Sequence, residues 1–152
     1  MTTTRLHGDL GAVGGIEVLP FGILTFVIGS LLAANAWAVV DSKLAVTSAS
    51  REAVRRYVEA PDHATASKRA LDAARETLRG HGRSPEQMQF HIEHDGNRPW
   101  ARCTRVRVVV TYPVPAVSLP WIGGYSEAFN ATAAHSEIID PFRAGIPGVA
   151  AC

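Results

Sequence analysis

Between residues 18 and 40 the sequence contains no Asp, Glu, Lys, Arg or His. A surface helix of a globular domain needs polar side chains on its outer face, so a charge-free run this long excludes that role. Roughly twenty such residues are what a bilayer-spanning helix requires. An excess of charge of either sign is also missing. Fifteen Lys plus Arg stand against fourteen Asp plus Glu, a formal net charge of +1, with no basic block. Without a basic stripe there is nothing to follow phosphates along a strand, which argues against nucleic acid as a partner. At 152 residues the chain has room for one small domain beyond the apolar run, not for a two-domain enzyme. No internal repeat and no long low-complexity tract is present.

Signatures of catalysis are equally scarce. The serines lack the glycine pattern of a nucleophile elbow, no Cys-His arrangement is suggested, and no Gly-rich loop leads from a strand into a helix. One constellation stands out: His91, Glu93 and Asp95, at alternate positions, would share a strand face and meet a metal there. A solvated polar face before a turn explains the same pattern, and no second ligand cluster has matching spacing. His135, Glu137 and Asp140 read the same way. The expectation is a non-enzyme with no cofactor and no metal.

What is present is a change of period along the chain. Residues 1–15 are short and polar, with Gly8, Gly11, Gly14 and Gly15 opposing helix. From residue 16 a helical pattern runs through the apolar segment to about residue 60. Val39, Val40, Val46, Thr47, Ala53, Val54, Tyr57 and Val58 are expected on one side of its second half, with Arg51, Glu52, Arg55, Arg56 and Glu59 opposite. Pro61 ends it, since the residue before a proline leaves the α region. A second, Ala-rich helix is expected over residues 64–79, with Ala66, Ala70, Leu71, Ala74 and Leu78 in register and Gly80 and Gly82 as stops. Beyond Pro85 the period becomes two. Met88, Phe90 and Ile92 alternate with polar residues, Asp95-Gly96 supplies a turn, and Val106, Val108, Val110 and Tyr112 line one face of a second strand. A third strand is expected over residues 129–139. The Pro- and Gly-rich stretch 113–124 between them reads as an apolar surface loop, on which Trp121 and Ile122 are candidate interface residues. The predicted architecture is α+β: a polar leader (1–15), a transmembrane helix with an amphipathic extension (16–60), and a small extracytoplasmic head on a three-stranded antiparallel sheet (61–152).

Four stretches of this sequence carry a family resemblance: the Gly-rich run ending in Glu17 before the apolar segment, AVTSASREAVRRYVEA (45–60), VRVVVTYPVP (106–115) and HSEIIDPFRAG (135–145). Together they resemble the TadE/TadG-like pseudopilins of tight-adherence pilus systems in their actinobacterial style. The resemblance implies a membrane-held subunit of a pilus or secretion system. Its partners would be other pilin-like subunits, the assembly machinery and a prepilin peptidase acting near the N-terminus. In type IV pilins a Gly precedes the cleavage site and a Glu lies five residues beyond it. Here that position is Ala12, with Gly11 six before Glu17, so Gly11 and Ala12 define the processing region. Glu17 would pair with the new ammonium of a neighbouring subunit, two charges neutralised near hydrocarbon. An acid at a helix start also suits the positive end of the helix dipole without any partner.

A different class of reading is a secretory signal peptide, because Ala34-Asn35-Ala36 and Ala36-Trp37-Ala38 both fit a cleavage pattern. The product would be a soluble exported binding module. Against it, Arg5 is the single fixed cation ahead of an apolar run that is long for a signal core. Counting Lys and Arg on either side of the helix favours a cytoplasmic head, yet Lys43 alone lies close to the helix end. Cys103 and Cys152 point the other way, as a candidate disulfide of an oxidising compartment, the alternative being two free thiols.

Overall fold

The structure is a computed structural model that describes residues 18–114, 129–149 and 152. Its largest element is one unbroken helix, α1, Val18–Val58, 41 residues long. At about 1.5 Å per residue this is a rod of roughly 60 Å, twice the thickness of a hydrocarbon core. It stops where the sequence requires: Glu59 N–H still reaches the Arg55 carbonyl, Ala60 N–H turns tightly onto Tyr57, and Pro61 follows.

Helix α2, His63–Gly80, begins at Asp62, whose carboxylate accepts from Thr65 N–H at 2.9 Å. Its C-terminus closes in a Schellman arrangement. Gly82 takes a left-handed φ of 68°, its N–H bonds the Arg79 carbonyl, and Arg83 N–H reaches back to Leu78. The face it buries is Ala66, Ala70, Ala73, Ala74 and Leu78, small enough for α2 to lie close against α1.

Three antiparallel strands follow: β1 (Gln89–His94), β2 (Arg105–Pro113) and β3 (Asn130–Ile138), side by side in the order β1-β2-β3. The predicted turn at Asp95-Gly96 is part of a longer connection, 95–104. It opens with a 3-10 turn, in which Gly96 has φ 63°, and continues through the buried Trp100. In register, His94 faces Val106 and Phe90 faces Val110, while Val108 faces His135 and Tyr112 faces Ala131. The sheet is therefore α+β in the expected sense, with Val106, Val108, Val110 and Tyr112 turned to the core and Arg105 and Arg107 to water.

The core is the seam between this sheet face and the second half of α1. There the helix buries Ser42, Ala45, Val46, Ala49, Ser50, Ala53, Val54 and Tyr57. That set keeps the expected face at Val46, Ala53, Val54 and Tyr57 and corrects it at the stem end. Val39 and Val40 are 44% and 50% exposed and belong to the apolar stem rather than the head. The helix instead turns its smallest side chains inward, because Ala131 and Ala133 on β3 and alanine or serine on α1 allow the two backbones to approach closely. Ser42 and Ser50 carry no polar penalty, since each hydroxyl donates within the helix, to Ala38 and Thr47 carbonyls. A larger side chain in this seam has nowhere to go. Ala53→Leu, at a site with no exposure, should destabilise the head by about 1–3 kcal/mol in denaturant titration while leaving membrane insertion unchanged.

Candidate functional site: the apolar stem and the base of the head

The first half of α1 is mostly exposed, and near its end Ala38 packs against the core of the head. An 18-residue window of this half has mean hydropathy 2.0 with no part buried, which makes it long and apolar enough to cross a membrane. Phe21, Phe26 and Trp37 are 71%, 75% and 71% exposed. Each Val, Leu, Ile or Phe moved from water into hydrocarbon gains about 1.5–3 kcal/mol. A stem of this composition is an interaction surface by that magnitude alone. Its one amide, Asn35, donates to the Leu31 carbonyl at 2.9 Å, so part of its polarity is met inside the helix.

Where the stem enters the head, charge returns in paired form. Asp41 meets Arg83 at 2.5 Å, and that guanidinium lies 5.5 Å from the centre of the Tyr112 ring. The Lys43 ammonium bonds the Thr132 carbonyl. Higher on α1, Arg51 Nε donates to His135 Nε2, while Arg55 and Arg56 pair with Glu59 and Glu52 one turn away. Exposed pairs of the last kind contribute little. With Arg51 and Lys43 they do show that the cations after the stem have partners within the head.

The far end of α1 is held by the C-terminal segment. Arg143 donates to the carbonyls of Val58 and Glu59, which no helical N–H can reach, and its charge suits the negative end of the helix. The same segment is tied to the sheet. Arg102 N–H bonds the Pro147 carbonyl, Cys103 N–H bonds Ile139, and Cys103 and Cys152 form a disulfide with Cα atoms 5.2 Å apart. Cys103 holds a left-handed φ of 63°, uncommon for a residue with a side chain. Spacing alone could not have revealed the Arg143 clamp, because its partners lie 84 and 85 residues away.

The remaining titratable groups of the head have structural explanations. His91 and Glu93 are exposed, 4.0 Å apart, and Glu93 also faces Arg107 across the strands. Asp140 caps its own turn by accepting from Phe142 N–H. Burial, and then the nearby Glu59, push the Glu137 carboxyl upward. Burial, and then the charge of His63, push His94 downward, consistent with a neutral imidazole beside Tyr57 Oη at 2.8 Å. Among the described residues no group of three or more His, Cys, Asp or Glu is placed to hold a metal ion. Gly11, Ala12, Glu17, Trp121 and Ile122 lie outside the described residues.

Searches of protein-family models, of curated proteins and of solved structures found no match for this chain.

The disulfide closes a segment of 49 residues, for which cross-linking stabilises by about 2–4 kcal/mol. Reduction, or the double change Cys103→Ser and Cys152→Ser, should lower the head's unfolding free energy by that amount in urea. Equal stability with and without reductant would show that the crosslink contributes nothing.

Proposed function

We propose that this chain is a TadE-like minor pseudopilin or pilus-assembly membrane protein, with a structural rather than catalytic role. The observation that carries the reading is the division of one continuous helix, α1, into an apolar, largely exposed stem and a second half that packs on an antiparallel sheet. That division is the layout the family resemblance leads one to expect of a pilin-like subunit. The stem anchors the chain as a single membrane pass, and the head acts outside the cytoplasm. The Cys103–Cys152 crosslink supports that orientation, because disulfides persist in oxidising compartments. Its partners are the lipid bilayer, other pilin-like subunits and the assembly machinery. A prepilin peptidase would act in the region of Gly11 and Ala12.

In this reading Glu17 compensates the amine of an adjacent subunit at the threshold of the bilayer. An ammonium left alone near hydrocarbon costs several kcal/mol, whereas losing a dipole contact at an exposed helix end costs about 0.3–1 kcal/mol. The two outcomes are separable. Glu17→Gln should leave membrane levels, head folding and processing intact while sharply reducing recovery of the chain in filaments or assembly complexes. Complexes forming at the unmodified yield would reduce Glu17 to a helix-start residue and remove the subunit-pairing role.

A further inference from the structure

The contacts between α1 and the sheet fix which end of the head faces the membrane. Lys43 on α1 meets Thr132 on β3, and Arg51 meets His135. Tyr57 meets His94, whose partner in register is Val106, itself paired with Glu137. Strand β3 therefore runs in the same direction as α1, away from the stem. Eight helical residues cover about 12 Å and three strand residues about 10 Å, so the two elements climb together. Continued downward by three residues from Thr132, the strand reaches Phe129 at a height about 10 Å lower, level with residues 35–37 of the helix. The position is held by Val114 N–H, which donates to the Phe129 carbonyl at 2.6 Å.

Phe129 and Trp37 thus stand at one level on two different elements, and both are exposed, 73% and 71%. That level lies at the end of the charge-free run, immediately below the first charges, Asp41 and Lys43. Trp and Tyr concentrate where hydrocarbon meets headgroups, with cations just outside them, and Phe shares the lipid-facing side of helices that lie in that layer. The Asp41–Arg83 pair lies at the same end, because α2 runs back toward the stem and Arg83 follows its last turn.

On this basis, and resting on the reading of the stem as membrane-spanning, we infer that the base of the head is a lipid-binding surface. Phe129 inserts beside Trp37 into the interfacial layer of the phospholipid bilayer that the stem crosses. The head is then seated on the membrane by two anchors rather than swinging from one helix. Continuity with the apolar stem favours lipid over a second copy of the chain as the occupant of this surface.

Depth-dependent quenching tests the inference. The full chain is reconstituted in phosphatidylcholine vesicles whose acyl chains carry bromine near the headgroup, in a Trp37→Phe, Trp121→Phe background. Trp100, buried at the opposite end of the head, stays as a constant signal. Into this background go Leu24→Trp in the stem, Phe129→Trp at the base and Ile138→Trp at the far end of β3, with circular dichroism confirming that each variant is folded. The indole introduced at position 129 should lose about half of its emission to the bromolipid, as expected for an interfacial depth, and the one at position 138 almost none. Quenching at position 24 with none at position 129 would overturn the seated head while leaving the membrane span intact. Shielding of position 129 from aqueous iodide without bromolipid quenching would assign the surface to a second copy and also overturn it. No quenching at position 24 would remove the span itself, and the inference with it.

Discussion

The close packing of the second half of α1 on the sheet is the contact on which the other features depend. Ala45, Ala49 and Ala53 lie in one buried cluster with Val106, Val108, Val110 and Ala131. Small side chains on both surfaces bring helix and strands near enough for a core of modest size to exclude water. Because this seam fixes α1 along its second half, the first half projects as a rigid continuation instead of folding back. An amphipathic helix could be satisfied by the head alone. One that is apolar all round over its first half cannot, and this half is long and apolar enough to cross a membrane.

The C-terminal segment completes the same device from the other end. Without Arg143 the last carbonyls at the end of α1 would lose their protein donors, and the Cys103–Cys152 crosslink joins the buried Ile139 and Ile146 in holding the segment that bears it. The helix is thus gripped along its side by the sheet and at its end by the tail. Pairing of Asp41 with Arg83 and of Lys43 with Thr132 adds a third hold where the stem emerges. A head gripped at three levels holds the rod in one orientation, as the proposed role of a membrane-held subunit would require.

Much of this was legible in the amino-acid sequence, and the reasons differ by element. The stem announces itself by the absence of charge, and β2 by the alternation of Val106, Val108, Val110 and Tyr112 with Arg105, Arg107 and Thr111. The stops at Pro61 and Gly82 act over a few residues and are read locally. Val46, Ala53, Val54 and Tyr57 were placed correctly on the buried face of α1, but where that face begins and its small residues were not legible in the same way. Hydrophobicity assigned Val39 and Val40 to the buried face, whereas the structure buries Ser42, Ala49 and Ser50, because close approach to the sheet selects for size rather than apolarity. Long-range polar contacts escaped altogether. Nothing near Arg143 or Arg83 in sequence identifies Val58, Glu59 or Asp41 as a partner. The anchoring role of Phe129 depends on the heights of two elements, and only the fold supplies those.

Amide hydrogen exchange on the full chain in lipid nanodiscs tests the central claim, that one uninterrupted helix serves two solvents. Slow exchange should extend without a break from the second turn of α1 through Tyr57, with the stem protected by lipid and the remainder by the sheet. Protection should lapse only beyond Ala60, whose N–H makes the last hydrogen bond onto the helix before Pro61. A fast-exchanging gap between Trp37 and Lys43, or a stem exchanging like unfolded chain in the bilayer, would contradict the account.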